Sequence, residues 1–306
     1  MTLKSSILLT GGSGLLAVNW FYSKNNEYSV YLGLNERKIH PDNCQVISLN
    51  FFSEEILMKQ IEAVDPSVVI HTAGLTSVEK CENSPELAFQ INVELSSMVA
   101  KVTKSLGIRL VHISTDHLFE GNASMLSEEE RRKPINVYGM TKALAESKIE
   151  EINPDALIIR TNFYAWGTSY RKSFSDYIIE SLRNKKLLSL FDDVYYTPIL
   201  AENLINTVHE LLDRNEKGIF NIVSDDRISK YDFGILIAEE FGLDKSYIES
   251  CSLQSKSNLV IRPYDMSLSN QKVKKLLCKN LGTVKQDIAR LHLQEFDYKT
   301  IEIQSL

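Results

Sequence analysis

A phenol and an ammonium on one helix face can move a proton, and Tyr138 and Lys142 stand at that spacing in Val137-Tyr138-Gly139-Met140-Thr141-Lys142. The chain continues Ala143-Leu144-Ala145-Glu146-Ser147-Lys148-Ile149, a helical pattern that puts both side chains on the same side. A tyrosine of ordinary pKa, roughly 10, is a weak acid at neutral pH, and a nearby ammonium lowers that value by favouring phenolate. The same spacing also arises by chance on solvated helices. The elements that would position the pair therefore have to be found.

The first is at the amino terminus. Ser6-Ile7-Leu8-Leu9 has strand character, Thr10-Gly11-Gly12-Ser13-Gly14 follows at once, and Leu15-Leu16-Ala17-Val18-Asn19-Trp20-Phe21 has helical length and periodicity. In a strand–glycine turn–helix unit, Gly11 permits the tight turn, Gly14 lets backbone approach a pyrophosphate, and Ala17 lets the helix pack closely on the strand. Gly12, Ser13 and Leu15 complete this candidate phosphate cradle. A second strand, Tyr28-Ser29-Val30-Tyr31-Leu32-Gly33-Leu34, ends roughly 20 residues after the turn, where dinucleotide folds read the ribose. Asn35, Glu36 and Arg37 stand there. Asn35 carries no charge to repel a 2′-phosphate and Arg37 can bind one, so the expected cofactor is NADP, with NADPH preferred over NADH. Glu36 is the dissenting residue and leaves NADH open.

Strand and helix patterns then alternate. Val68-Val69-Ile70, Leu110-Val111-His112-Ile113 and Leu157-Ile158-Ile159 are apolar runs separated by helical stretches such as Leu87 to Leu106 and Tyr138 to Ile152, the rhythm of a parallel sheet. Polar clusters follow each run directly: Thr72-Ala73-Gly74-Leu75-Thr76, Ser114-Thr115-Asp116-His117 and Arg160-Thr161-Asn162-Phe163. With the glycine turn they lie at the carboxyl edge of one sheet, where open α/β folds bind ligands.

Composition narrows the class. A chain of 306 residues with 43% hydrophobic content can bury a large core. Its apolar runs fall far short of the roughly 20 residues of a spanning helix, and no cleavable signal pattern precedes the first strand, so no membrane partner is expected. Cys44, Cys81, Cys251 and Cys278 are too scattered for a zinc cluster and suit a reducing, cytoplasmic setting. A net charge of −6 provides no basic field for nucleic acid.

Thr10-Gly11-Gly12-Ser13-Gly14, Ser114-Thr115-Asp116-His117-Leu118-Phe119-Glu120-Gly121 and Asn136-Val137-Tyr138-Gly139-Met140-Thr141-Lys142 resemble the extended short-chain dehydrogenase/reductases, specifically the dTDP-4-dehydrorhamnose reductase type. Arg160-Thr161-Asn162, Tyr196-Thr197-Pro198-Ile199, Gly218-Ile219-Phe220-Asn221-Ile222 and Arg262-Pro263 with Ser267-Leu268 and Lys272 extend the likeness over nearly the whole chain. The resemblance implies NAD(P)H-dependent reduction of a keto group on a nucleotide-linked deoxysugar. It makes Thr115, Tyr138 and Lys142 the catalytic triad: Tyr138 protonates the developing alkoxide, Thr115 hydrogen-bonds the same oxygen, and Lys142 holds the nicotinamide ribose. Expected cofactor contacts extend to Asn50, Thr72, Ala73, Gly74 and Asn162. Expected substrate contacts are Thr76, Thr115, Asp116, His117, Asn162, Phe163, Phe174 and Arg262, with no metal.

Neighbouring subfamilies differ at the same positions. Nucleotide-sugar 4,6-dehydratases carry a Glu where this chain has His117, and GDP-fucose synthases carry a Cys where it has Asp116. A plain reductase is favoured, ahead of a sugar-nucleotide epimerase or a cofactor-binding regulatory subunit like that of methionine adenosyltransferase. The loop from Asn162 to Phe174 is aromatic and locally basic; it suits a sugar nucleotide, or else Phe174, Tyr177 and Ile178 form a buried helix face with Arg171 and Lys172 in solvent. Arg262 is a phosphate candidate that could instead pair with an acid. Ser127-Glu128-Glu129-Glu130-Arg131-Arg132-Lys133 reads as a solvated loop. The expected architecture is α/β: a Rossmann-like, doubly wound parallel sheet from residues 1–165 plus 187–223, and a smaller, largely C-terminal substrate-binding domain from 166–186 plus 224–306. A homodimer is compatible with it.

Overall fold

The computed structural model describes residues 4–256 and 258–306. A seven-stranded sheet organises it, and each adjacent pair in that sheet is parallel. β1 (Ser6–Thr10) is flanked on one side by β2 (Ser29–Leu34) and β3 (Gln45–Ser48). On the other side lie β4 (Val68–His71), β5 (Arg109–Ile113), β6 (Leu157–Arg160) and the last strand, Gly218–Asn221. Strand order reverses between β1 and β4, which opens a crevice at their carboxyl ends.

Side-chain alternation explains why the runs are continuously apolar. Ile7 and Leu9 enter one core with Ala17, Phe21, Leu204 and Val208, whereas Leu8 enters the opposite one with Leu57, Ile61, Val99 and Ile149. Both faces of the sheet are thus covered by helices, so both sets of alternating residues must be apolar. β3 carries no periodic signal in the sequence, because its four residues, Gln45–Ser48, are half-buried or exposed and the strand is short.

The expected Leu87-to-Leu106 helix is broken in character. Pro85–Phe89 is α-helical, Gln90–Glu94 forms a π-turn, and Leu95–Leu106 resumes the α-helix. The π-turn carries the buried Asn92, which donates to the Thr141 hydroxyl at 3.0 Å and accepts from the Leu75 amide at 2.8 Å. A side chain on one helix thereby fixes both the Tyr138 helix and the loop after β4. The Val137–Ile152 helix starts at Asn136, whose side chain accepts from the Gly139 amide at 2.8 Å.

A second core joins Tyr164, Trp166, Ile178, Leu182, Leu190, Tyr196, Phe233, Ile237, Ile288 and Leu291. Core membership differs from sequence segmentation at two places. Leu188–Phe191 pairs with Ile248–Cys251, so Leu188 and Leu190 belong to this second core rather than to the sheet layer. Conversely Val273, Leu277, Leu281 and Ile303 return from the carboxyl-terminal part to pack under the sheet. Burial partners over such sequence distances leave no local pattern.

The charged run is also not simply solvated. Glu128 accepts from the Asn221 amide at 2.8 Å, and Arg132 donates to Glu146 at 2.9 Å and to Glu150 at 2.8 Å. Glu146 lies fully buried beside Arg160, with Nη2 to Oε2 at 2.8 Å. Arg160 is therefore turned into the protein, although its neighbours Thr161 and Asn162 line the sheet-edge cleft.

Candidate active site

The glycine turn is shaped by contact. Gly11 has φ +66°, and a Cβ on it would fall 2.7 Å from the Ala73 Cα, so the turns after β1 and β4 touch backbone to backbone. The Gly14 amide donates to the Gly11 carbonyl at 2.8 Å. Gly14 caps the Leu15–Lys24 helix without a side-chain acceptor, which leaves first-turn amides available to an anion. Gly12 serves packing instead: its amide donates to the Gly33 carbonyl at 2.9 Å and a Cβ there would strike Leu32.

Above this turn lies a cleft of about 560 Å³. It gathers Gly11, Ser13, Gly14, Leu15, Arg37, Thr72, Ala73, Gly74 and Thr76 with Thr115, Asp116, His117, Tyr138, Lys142, Asn162 and Phe163. Five strand ends and one helix thus bring most of the expected residues to one space. A backbone cradle that a side chain would fill, beside an uncapped helix start, fits a dinucleotide phosphate.

Within the cleft, Thr115 donates to Asp116 Oδ1 at 3.2 Å, and Asp116 Oδ2 accepts from Asn162 at 2.6 Å. This chain holds the loops after β5 and β6 together. Burial pushes the Tyr138 phenol above its ordinary value, while the Thr115 hydroxyl and the Arg171 charge pull it down. The expected lowering by Lys142 is thus not what governs Tyr138. Lys142 is itself buried, directs its ammonium to the Ile113 carbonyl at 2.8 Å and to His112 Nε2 at 3.1 Å, and is depressed by burial to about 8. His117 packs edge-on against Tyr138 with ring centroids 5.4 Å apart, and burial lowers its pKa, so it is a neutral wall of the cleft.

Several expected residues sit elsewhere. Asn35 is exposed and stands outside the cleft lining, while Arg37 two positions on reaches it. Asn50 is engaged locally, its amide donating to Gln60 at 2.9 Å and its side chain accepting from Phe52 at 2.8 Å. Phe174, half-buried, stacks on Phe233 at 5.8 Å against the second core, and Arg262 pairs with Glu79. The aromatic loop therefore divides: its Phe174 end packs on the second core, but Tyr170, Arg171 and Lys172 line the cleft, and Arg171 donates to the Thr76 hydroxyl at 2.8 Å.

Residues that the sequence did not single out complete the site. Asn92 and His112 support the Val137–Ile152 helix through Thr141 and Lys142, and only their long-range partners reveal them. Lys230, first residue of the Lys230–Glu240 helix, has its ammonium 3.2 Å from the Tyr196 ring centroid and 5.0 Å from that of Phe174. Burial lowers it to about 7 against the pull of Asp116. A cation at a helix amino terminus opposes the helix dipole, so its placement is not explained by helix stability.

The chain resembles known proteins over most of its length. It is 29% identical over 296 residues to the probable low-salt glycan biosynthesis reductase Agl14 of Haloferax volcanii, covering 95% of this chain and 99% of that one. It is 28% identical over 262 residues to methionine adenosyltransferase 2 subunit beta of Pongo abelii, covering 79% of this chain and 74% of that one. The crystal structure of a hypothetical dTDP-4-dehydrorhamnose reductase from Sulfolobus tokodaii superposes with a TM-score of 0.80 at 30% identity, covering 91% of this chain and 97% of that one. Residues 5–296 match the RmlD substrate binding domain as one continuous unit, and the chain belongs to that family.

Proposed function

We propose that the protein is an NADPH-dependent reductase of a nucleotide-linked 4-keto-6-deoxyhexose. One observation carries the reading: Thr115, Tyr138 and Lys142 share a cleft with the Gly11–Gly14 turn, so a proton donor and a dinucleotide cradle open on the same space. The nicotinamide, when bound, supplies the hydride for the sugar carbonyl carbon. Burial keeps the Tyr138 phenol protonated until it gives its proton to the carbonyl oxygen, and Thr115 hydrogen-bonds that oxygen as charge develops. Arg171 brings positive charge to the phenolate left behind. Gly11, Ser13, Gly14 and Leu15 hold the pyrophosphate, and Arg37 meets the 2′-phosphate. Asp116, Asn162, Phe163 and Arg171 face the sugar nucleotide.

The test is NADPH oxidation by the purified protein with dTDP-4-dehydrorhamnose, followed by identification of the reduced sugar. Absence of turnover across dTDP-, UDP-, GDP- and CDP-linked keto sugars would defeat the reading. The 28% identity to a methionine adenosyltransferase subunit supports a second reading, a cofactor-binding regulatory subunit. Under it the protein binds NADPH, turns over no sugar and forms a stoichiometric complex with a separate enzyme.

A further inference from the structure

The catalytic lysine is held by a neighbour that the reductase mechanism does not itself require. An ammonium has protons and no lone pair, so its 3.1 Å contact with His112 makes Nε2 of that ring the acceptor and places the ring proton on Nδ1. His112 Nδ1 is buried and has no partner among the described residues. An unsatisfied buried donor is a cost to folding, and an apolar residue in β5 would avoid it.

The ring is braced from below. His71 on β4 stacks against His112 with centroids 5.4 Å apart and planes 29° from parallel. The Ser96 hydroxyl donates to the Asn92 carbonyl at 2.7 Å, so it accepts from His71 Nε2 at 3.1 Å, and His71 Nδ1 accepts from the Thr10 hydroxyl at 2.7 Å. His71 is thereby fixed as the Nε2–H tautomer. Burial, reinforced by the Lys142 charge, keeps both rings neutral. The other titratable group acting on Lys142 is Glu146, one turn along its helix, which favours the ammonium.

We propose that His112 is a positioning residue for Lys142: its neutral Nε2, with the Ile113 carbonyl, keeps the lysine charged and aimed along the cleft where the cofactor ribose lies. This deepens the reading above and rests on Lys142 serving a nicotinamide cofactor in that cleft. A hydrogen bond to the ammonium favours the charged form. Its loss misdirects the side chain and lets burial neutralise it at lower pH.

The experiment is NADPH binding, measured by fluorescence from neutral to alkaline pH. His112→Leu should weaken NADPH by about tenfold and move the alkaline loss of affinity about one pH unit toward acid, the scale of one charge-assisted hydrogen bond. His112→Gln, with an amide oxygen near the position of Nε2, should restore most of both effects. If His112→Leu does not fold, His112→Phe retains the stack on His71 and gives the same comparison. A variant without the acceptor that binds NADPH as the wild type does at every pH overturns the proposal. So does a histidine-ring nitrogen NMR spectrum of the wild type that puts the His112 proton on Nε2. If the variants show these binding effects but the wild type reduces no keto sugar, the reductase reading sinks and this one stands.

Discussion

Arg37 lies with its guanidinium 4.2 Å from the centroid of the Tyr170 ring, and the Tyr170 hydroxyl donates to the Ser13 carbonyl at 2.9 Å. A residue from the end of β2 is thus braced by a loop from the far wall, which is itself anchored to the phosphate turn. Stacking holds the planar guanidinium at the mouth of the cleft, with its N–H edge unpaired among the described residues and able to meet a phosphate.

NADPH should therefore bind more tightly than NADH. Arg37→Ala is expected to weaken NADPH by roughly 1.5–3 kcal/mol, the range of hydrogen bonds to charged groups, with little effect on NADH. Titration of both cofactors against wild type and variant checks this, and a wild-type preference for NADH would refute it.

Tyr138→Phe keeps the ring and its packing against His117 but removes the proton donor. Keto-sugar reduction should slow by roughly 10²- to 10⁴-fold while NADPH affinity is retained. Lys142→Met should lose both. Single-turnover kinetics paired with cofactor titration separates the two variants, and unchanged turnover in Tyr138→Phe would remove Tyr138 from the chemistry.

The position after Asp116 carries His117, held neutral by burial, where a dehydratase carries its acid. Supplied with dTDP-glucose and oxidised cofactor, the protein should release no 4-keto-6-deoxy product. Chromatographic detection of that product at an enzymatic rate would overturn the reductase assignment.

Glu146 and Arg160 form a buried pair with side-chain exposures of 0% and 1%. Glu146→Ala leaves the arginine charge uncompensated and should destabilise the fold by about 3–5 kcal/mol, whereas replacing both residues with apolar ones of similar volume should cost much less. Denaturant unfolding of the single and double variants measures the difference. Equal losses would mean that packing, not charge, is at stake.

Acid should destabilise the protein through its buried neutral histidines. Burial lowers His71 to about 3 and His209 to about 4, and takes His112 well below its ordinary value. Their folded pKa values lie below the unfolded one, so the unfolded chain binds more protons. The stability they supply is complete above pH of about 6.5 and is lost as pH falls, by at most about 1.4 kcal/mol per pH unit for each ring. His209 Nε2 accepts from the Trp20 indole at 3.0 Å, so His209→Gln can keep an acceptor there while removing the titration. Urea midpoints as a function of pH should fall less steeply in that variant; an identical slope would contradict the assignment.

What could be read from the sequence alone rests on short-range physics. The strand from Ser6, the turn Gly11–Gly14 and the helix that follows are specified by local periodicity and by a backbone angle that glycine adopts cheaply. Tyr138 and Lys142 share a face because a helix turns every 3.6 residues, and polar clusters after apolar runs collect at one sheet edge because the strands are parallel. The partners of those residues are another matter. Nothing near Lys142 in sequence shows that His112, 30 positions earlier, takes its ammonium, nor that Asn92 ties Thr141 to Leu75. Arg160 and Phe174 had the right chemistry for a ligand yet turn to Glu146 and Phe233, because a buried charge needs an opposite charge and an apolar ring gains by covering itself against a core. Arg171 and Lys172, adjacent to Phe174, reach the cleft instead. Local patterns specified where the principal elements begin, though not β3, and what they can offer; tertiary packing decided which of those offers face the cleft, because that choice depends on neighbours brought together only when the sheet is assembled.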